Sequence, residues 1–185
     1  METTMIIADR PFNVNGLSYT IRSAAVRDAE QLSRLRVQID GETENMDREQ
    51  GEAFIDALGF ERLIQADSDS PRNLFLVAAV EDRVVAFSRC EGNHLIRFSH
   101  KVEFGVGVLE EFWGHGIGKN LLKTSIDWAD SNGIKKMTLT VLETNEKAAQ
   151  LYRKLGFEIE GVLKKDKILS DGSYYSTLVM GRFND

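Results

Sequence analysis

The sequence contains one cysteine, two prolines and no long apolar run, and these shortages exclude several classes of protein. A single cysteine, Cys90, cannot form a disulfide within the chain, which is typical of proteins in a reducing compartment. No stretch reaches the about 20 consecutive apolar residues that a membrane-spanning helix needs. The first residues, METTMIIADRPFNV, lack the apolar segment of a secretory signal. We therefore expect a cytoplasmic protein without a membrane partner.

Basic residues are also in short supply, since 23 lysines and arginines stand against 29 acidic residues, a net charge of −6. Proteins that bind nucleic acid usually carry clustered lysine and arginine, so this composition excludes a general nucleic-acid binder. The three histidines, His94, His100 and His115, show no metal-ligand spacing and no adjacent cysteine or aspartate cluster. We expect neither a nucleic-acid partner nor a metal site.

The chain does contain enough apolar material for one domain. A chain of 185 residues buries about 70% of its unfolded surface, so a core forms without disulfides. Residues 1–16 show no clear period and are interpreted as an N-terminal extension, and residues 17–185 as a single domain. Periodicity predicts strands over 17–22, 74–80, 84–90, 101–109, 136–142, 157–169 and 174–182, and helices over 26–40, 53–66, from 116 and over 146–155.

The order of these elements predicts a mixed sheet. A strand, a helix and a second strand follow one another between residues 101 and 142, and this connection implies a parallel pair. Hairpins on both sides imply antiparallel strands, with the dipeptide Asp171-Gly172 as the turn of the last one. The fold class is therefore α/β or, with its mixed sheet, α+β.

The stretch EEFWGHGIGKNLLK, from Glu110 to Lys123, places three glycines between a predicted strand and a predicted helix. The first N–H groups of a helix have no partner within it, and the helix dipole adds partial positive charge there. Glycines without Cβ atoms let an anion touch these donors. The stretch therefore predicts a phosphate or pyrophosphate site, with a simple turn as the alternative.

Spacing excludes two well-known phosphate loops. The dinucleotide fingerprint G-x-G-x-x-G needs glycine where the sequence has Lys119 or Leu121. A Walker A loop needs glycine and a hydroxyl at the positions of Trp113 and Asn120. Neither loop fits.

A third loop fits. The hexapeptide WGHGIG resembles motif A of the GNAT (GCN5-related N-acetyltransferase) superfamily, Q/R-x-x-G-x-G/A, with Gly116 and Gly118 at the glycine positions. Trp113 stands at the Q/R position, where this sequence departs from the usual pattern. The segment TVLETNEKAAQLYRKLGFEIEG resembles motif B of the same family, through its asparagine Asn145 and its tyrosine Tyr152.

This resemblance covers about residues 17–182 and implies a fold, an activity and a co-substrate. The implied fold is a mixed, mostly antiparallel sheet of about six to seven strands with a splayed parallel pair, flanked by about four helices. The implied activity is direct transfer of an acetyl group from acetyl-CoA to a primary amine of a small molecule or of a peptide or protein N-terminus. The residues implied in holding acetyl-CoA are Val106, Gly107 and Val108 for the pantetheine arm, Gly114, His115, Gly116, Ile117, Gly118 and Lys119 for the pyrophosphate, and Asn145 for a further pantetheine contact.

The resemblance also assigns catalytic roles. Tyr152 is implied as general acid toward the thioester sulfur, with a half-buried core tyrosine as the alternative. A tyrosine of pKa near 10 donating to a thiolate of pKa near 8.5 works uphill by about 2 kcal/mol, so a hydrogen bond to the sulfur is sufficient. Some relatives carry a glutamate where this chain has Thr140, which leaves Glu103 as candidate base, with an exposed strand carboxylate as the alternative. The main-chain N–H near Val108 is implied as the oxyanion donor.

Several alternatives stay open. Asn145 also fits a helix N-cap, and Lys119, Lys123, Arg153 and Lys154 fit either phosphate contacts or a solvated helix face. The absence of a glutamate at Thr140 leaves room for an acyl-CoA-binding sensor or partner module without catalysis. The acidic segment 41–52 suggests a cationic amine acceptor, or simply a solvated loop. By analogy with relatives that pair through their C-terminal strands, we expect a homodimer.

Overall fold

Eight strands form one sheet in the computed structural model, which describes residues 6–185. Their order across the sheet is β1-β2-β3-β4-β5-β6-β8-β7, and of these neighbours only β5 and β6 run parallel within the described residues. With the four α-helices, this is the mixed, mostly antiparallel architecture that the sequence predicts. The strands are β1 Arg10–Val14, β2 Leu17–Ser23, β3 Leu74–Val80, β4 Arg83–Gly92, β5 Lys101–Val108, β6 Lys136–Leu142, β7 Glu158–Ile168 and β8 Tyr174–Phe183; the helices are α1 Ala29–Glu42, α2 Ala57–Ser68, α3 Ile117–Ser131 and α4 Glu146–Lys154.

The first strand is not predicted from the sequence. Residues 10–14, which the lack of periodicity assigns to an extension, pair with β2 from Arg10↔Ile21 to Val14↔Leu17. Asn15 and Gly16 connect the two strands with φ values of 50° and 80°, the pair of positive angles that a tight hairpin turn requires. The dipeptide Asn-Gly was the available signal for this strand. Residues 1–5 of the expected extension lie outside the described residues.

Helices cover both faces of the sheet, which is why β3 is buried over Leu74–Ala79. Successive residues of β5 identify the two faces, because neighbours along a strand point to opposite sides. A Cβ added to Gly107 would lie 3.3 Å from Ile39 Cδ1 of α1, whereas Val108 Cγ2 lies 3.8 Å from one added to Gly118 of α3. Helix α1 therefore covers one face and α3 the other.

Two carboxylates tie helices to the sheet, one on each face. On the α1 face, Asp67 of α2 accepts hydrogen bonds from Arg89 of β4 at 2.8 and 3.0 Å. On the α3 face, Asp130 of α3 accepts two from Arg182 of β8, both at 2.8 Å. A Cβ on Gly156, just after α4, would lie 3.7 Å from Arg182 Nε, so α4 ends on the α3 face. Among residues 6–185 no helix has the length and apolar character that crossing a bilayer requires.

Candidate active site

The parallel strands β5 and β6 diverge after three register pairs. They pair at Lys101↔Lys136, Val102↔Met137 and Glu103↔Thr138, whereas β5 stays paired with β4 as far as Ala86↔Val108. No register shift interrupts the β4–β5 ladder, so β5 carries no bulge at its glycines. We call the space between β5 beyond Glu103 and β6 beyond Thr138 the β5–β6 gap. It confirms the predicted splayed parallel pair.

Unpaired backbone groups of both strands face the β5–β6 gap. The Leu109 N–H donates to the Val85 carbonyl at 3.1 Å, and alternation along the strand then points the N–H and C=O of Val106 and Val108 away from β4. On β6, the Glu143 N–H donates to Ser176 at 3.0 Å, so alternate β6 residues likewise direct their backbone groups into the gap. A pantetheine arm, with its two amide groups, matches this double row of donors and acceptors.

Gly107 differs from Val106 and Val108, because its backbone groups face β4, which argues against its implied contact with the pantetheine arm. The same alternation directs its N–H and C=O toward Phe87 of β4. Close packing explains why this position is a glycine, since an added Cβ would lie 3.3 Å from Ile39 and 3.4 Å from Phe87. Gly107 therefore allows α1 to pack closely over the end of β5.

The glycine loop, residues 114–119, presents a row of free backbone donors. Gly114 and Gly116 have φ values of 83° and 69°, and Gly116 is the N-cap of α3. The first helical bond runs from the Asn120 N–H to the Gly116 carbonyl at 2.9 Å. Among residues 6–185, no acceptor bonds the N–H groups from Gly114 to Lys119. This arrangement is suited to a pyrophosphate.

Trp113 connects the glycine loop to the end of β5. Its indole Nε1 donates to the Val108 carbonyl at 2.9 Å, while the side chain is 48% exposed. The carbonyl of Val108 is thereby occupied, and its N–H still faces the β5–β6 gap. Tryptophan at the position where the family motif has Gln or Arg thus has a structural role in this chain.

Asn145 caps α4 and Tyr152 lies on it, and three residues separate α4 from β6. Asn145 is the N-cap: its Oδ1 accepts from the Ala148 N–H at 3.4 Å, which leaves its Nδ2 donor free of described partners. Tyr152 packs against Phe157 with ring centroids 6.0 Å apart and is half-buried. Within residues 6–185 no group hydrogen-bonds the Tyr152 hydroxyl, and burial raises its pKa above 10.0. Tyr152 therefore stays protonated and available as a donor.

Glu103 lies at the start of the β5–β6 gap, on the face opposite to α4. It shares this face with Gly107, four residues along the strand, and so with α1. Its register partners are Glu91 on β4 and Thr138 on β6, and its side chain is exposed. No group among residues 6–185 bonds the Glu103 carboxylate. An amine arriving from the α1 face would meet this carboxylate, while α4, which carries Tyr152, ends on the opposite face.

The cysteine and the basic residues near the site form no catalytic arrangement within residues 6–185. Cys90 is fully buried in the core, and burial raises the pKa of its thiol to about 12, so it is not a nucleophile of this site. Four basic residues near the site are exposed and form no ion pair with the part of the chain described here: Lys119, Lys123, Arg153 and Lys154. That part also contains no group of three or more His, Cys, Asp or Glu side chains placed to hold a metal ion.

The acidic segment 41–52 contacts its own chain rather than projecting freely. The Glu42 carboxylate accepts from the Glu110 N–H at 2.8 Å, next to the glycine loop. Glu44 accepts from the Ser170 N–H at 2.9 Å, and Asp47 forms an ion pair with Lys167. These contacts bridge α1 to the β7–β8 hairpin. Most carboxylates that suggested a cationic acceptor are therefore already bonded within the chain.

The fold and site together define an acyltransferase architecture, and comparison with known proteins identifies the family. The model of the acetyltransferase (GNAT) family matches residues 39–157, so the chain belongs to this family. An L-amino acid N-acetyltransferase, AaaT of Escherichia coli K12, is 30% identical over 88% of this chain and 96% of its own length. Spermidine N(1)-acetyltransferase of the same strain is 29% identical, over 60% of this chain and 59% of its own length.

Two solved structures show the same fold. An acetyltransferase of the GNAT family from Streptococcus pneumoniae superposes with a TM-score of 0.86 at 24% identity, covering 90% of this chain and 99% of that one. The yncA protein of Salmonella typhimurium, solved with its cofactor acetyl-CoA, gives a TM-score of 0.80 at 20% identity, with 90% and 94% coverage. The predicted family and fold are thus confirmed.

Proposed function

We propose that this chain is an N-acetyltransferase that moves the acetyl group of acetyl-CoA directly to a primary amine of a small molecule or of a peptide or protein N-terminus. The row of unbonded N–H groups from Gly114 to Lys119, at the end of the β5–β6 gap, carries this proposal. The relatives named N-acetyltransferases of amino acids and of spermidine support it. The acetyl donor fits the fold that yncA shares.

The donor is held by backbone groups. The pyrophosphate accepts hydrogen bonds from the N–H groups of the glycine loop, at the positive end of α3. The pantetheine arm pairs with the inward-facing groups of Val106, the Val108 N–H is left for the thioester oxygen, and the Asn145 Nδ2 is a further donor near the end of β6. This arrangement places the thioester in the β5–β6 gap, between the two faces of the sheet.

Transfer forms a C–N bond and breaks the C–S bond. The neutral amine attacks the thioester carbon, and the Val108 N–H stabilises the oxygen that becomes negative. Since an alkylamine of pKa near 10.4 is only about 0.1% neutral at pH 7.4, deprotonation costs about 4 kcal/mol. Glu103, directly or through a water, accepts the amine proton. The departing thiolate receives a hydrogen bond from the protonated Tyr152 hydroxyl.

Release of free CoA thiol tests the proposal. The assay offers acetyl-CoA with a panel of amino acids, polyamines, aminoglycosides and peptides, and compares wild type with Tyr152→Phe. We expect acceptor-dependent release that falls at least about tenfold in kcat in Tyr152→Phe, with the acetyl-CoA KM unchanged. Tyr174→Phe is the matched control, because Tyr174 is 63% exposed on β8 and far along the chain from α4.

Two results would contradict the proposal. Tight acetyl-CoA binding with no release from any amine would favour the sensor or partner module. Absence of acetyl-CoA binding would show that the glycine loop serves another purpose.

The quaternary structure and the location stay predictions. The β7–β8 hairpin supports a homodimer, because exposed apolar side chains can mark a protein–protein interface. Its large apolar side chains are 42–63% exposed: Ile159, Val162, Leu163, Ile168, Tyr174 and Phe183. Light scattering distinguishes a dimer from a monomer, since a dimer has twice the mass of the 20.8 kDa chain. The cytoplasmic location is tested by cell fractionation.

A further inference from the structure

Side chains of the β1–β2 hairpin bond the carbonyl oxygens of the glycine loop. Asn15 Nδ2 donates to the Gly114 carbonyl at 2.8 Å, and the Tyr19 hydroxyl donates to the His115 carbonyl at 3.1 Å. His115 contacts the hairpin in return, with its Nδ1 at 3.1 Å from the Val14 carbonyl. Because a carbonyl only accepts, His115 Nδ1 carries the proton. Three contacts thus hold the loop from the side of the hairpin.

Peptide planarity converts these contacts into an orientation of the donors. The Gly114 carbonyl shares a trans peptide group with the His115 N–H, and the His115 carbonyl shares one with the Gly116 N–H. In a trans peptide the C=O and N–H bonds point in opposite directions. Each carbonyl bonded to the hairpin therefore aims the next N–H away from it, and both of these N–H groups belong to the unbonded row.

Tyr19 is itself held in place. It is 3% exposed, and its ring stacks on Phe12 with centroids 5.4 Å apart. Its hydroxyl oxygen accepts from Asn120 Nδ2 at 2.7 Å, which leaves the hydroxyl proton for the loop carbonyl. The Asn120 N–H also makes the first helical bond, to the Gly116 carbonyl. One network therefore joins the hairpin, the glycine loop and α3.

We propose that Asn15 and Tyr19 are positioning residues that orient the glycine-loop amides and thereby set the affinity for the diphosphate of the acyl donor. The inference rests on the proposed function, because it assumes that this loop binds acetyl-CoA. Neither side chain contacts the donor: both act through the carbonyls of Gly114 and His115. Removing either side-chain contact should weaken the binding of donors that carry a diphosphate. The binding of donors that lack a diphosphate should not change.

The test compares CoA with a fragment that has no diphosphate. The dissociation constant of CoA is measured by calorimetry, and turnover is measured with acetyl-CoA and with S-acetylpantetheine. The variants are Tyr19→Phe, which keeps the ring stack, and Asn15→Gly, which keeps the positive φ of 50°. For Asn15→Gly, which loses one hydrogen bond, we expect the CoA dissociation constant and the acetyl-CoA KM to rise about twofold to tenfold. For Tyr19→Phe, which loses the bonds to His115 and Asn120, we expect a rise at least as large. We expect kcat, and kcat/KM for S-acetylpantetheine, to stay within twofold of wild type.

Asn13→Ala is the matched control. Asn13 lies in the same hairpin, but its Nδ2 donates to Ser18 Oγ at 2.8 Å and not to the loop. CoA affinity should be unchanged in this variant. Unchanged CoA affinity in both Tyr19→Phe and Asn15→Gly would overturn the inference, as would equal losses with acetyl-CoA and S-acetylpantetheine. Failure of the wild type to bind CoA would instead refute the proposed function.

Discussion

The donor side and the acceptor side of the candidate site differ in how their polar groups are bonded. On the donor side, the N–H groups of residues 114–119, the inward groups of Val106 and the Val108 N–H have no partner among residues 6–185, whereas the Val108 carbonyl accepts from Trp113. On the acceptor side, Glu42, Glu44 and Asp47 are bonded to groups of their own chain. Polar groups without a partner in the chain are available to a ligand, and the two sides differ in how many such groups they offer.

This difference explains why the donor is easier to infer than the acceptor. In the proposed function, backbone donors bind the diphosphate and the pantetheine arm whatever the side chains are, so conformation and glycine spacing support the donor. The proposed acceptor would be recognised by side chains, and of these Glu103, at the start of the β5–β6 gap, has no partner among residues 6–185. Three predictions test this contrast, from the largest expected effect to the smallest.

Changing pH should affect the acceptor side alone. The acceptor kcat/KM should rise about tenfold per pH unit from about pH 6.5, because the neutral amine is the reactive form. An α-amino acceptor of pKa near 7.7 should reach a plateau near pH 8, whereas a side-chain amine of pKa near 10.4 should not. The acetyl-CoA KM should stay constant, since backbone amides do not titrate. Initial rates at varied pH measure both quantities.

Tyr152 should contribute no descending limb to that profile. Burial raises the pKa of Tyr152 above 10.0. Its hydroxyl therefore keeps its proton over the pH range of the assay and loses it only at still higher pH. A fall in wild-type rate below pH 9 that disappears in Tyr152→Phe would contradict this assignment.

Adding a methyl group to the glycine loop, by the substitution Gly116→Ala, should weaken acetyl-CoA binding. Gly116 has a φ of 69°, a conformation that costs a residue with a Cβ about 1–2 kcal/mol. Relaxation of this strain would turn the neighbouring N–H groups, so Gly116→Ala should raise the acetyl-CoA KM about tenfold. Steady-state kinetics measures the change.

Gly172→Ala separates this effect from simple loss of stability. Gly172 has a similar φ of 77°, in the β7–β8 turn, and an added Cβ would meet nothing within 4 Å. Both variants should lose comparable unfolding free energy in denaturant titrations, while only Gly116→Ala changes the KM. An equal KM change in both would argue against a role of loop geometry.

Neutralising acidic groups should have the smallest effect. Asp47→Asn removes a charge that is already paired with Lys167, and Glu44→Gln removes one that already accepts a hydrogen bond from the Ser170 N–H, so the acceptor KM should change less than about threefold. Glu49→Gln tests an unbonded carboxylate of the same segment, because no described residue bonds the Glu49 side chain. A tenfold rise in acceptor KM in Glu49→Gln would instead support a cationic acceptor held by this segment.

Local sequence signals predicted most elements of the fold. The strands 74–80 and 136–142 have the predicted bounds, and the helix after Gly116 begins within one residue of its prediction. Strand β1 is not predicted because the apolar alternation of RPFNV is limited to Phe12 and Val14, and its pairing with β2 depends on the Asn15-Gly16 turn. The roles of Asn15 and Tyr19 are not predicted because their loop partners lie 99 and 96 residues away in the chain.

The sequence by itself determined where the glycine loop can take positive φ values and where α4 is capped. Gly114 and Gly116 accept those angles because they lack a Cβ, and the Asn145 cap is made within three residues, whereas contacts with the distant β1–β2 hairpin fix how the loop amides are oriented. Only the tertiary structure decided which backbone groups are free. The register of β5 with β4 turns Val106 and Val108 toward the gap and Gly107 away from it, and the divergence of β6 leaves that edge unpaired. These outcomes depend on pairings between distant segments, which no local pattern encodes.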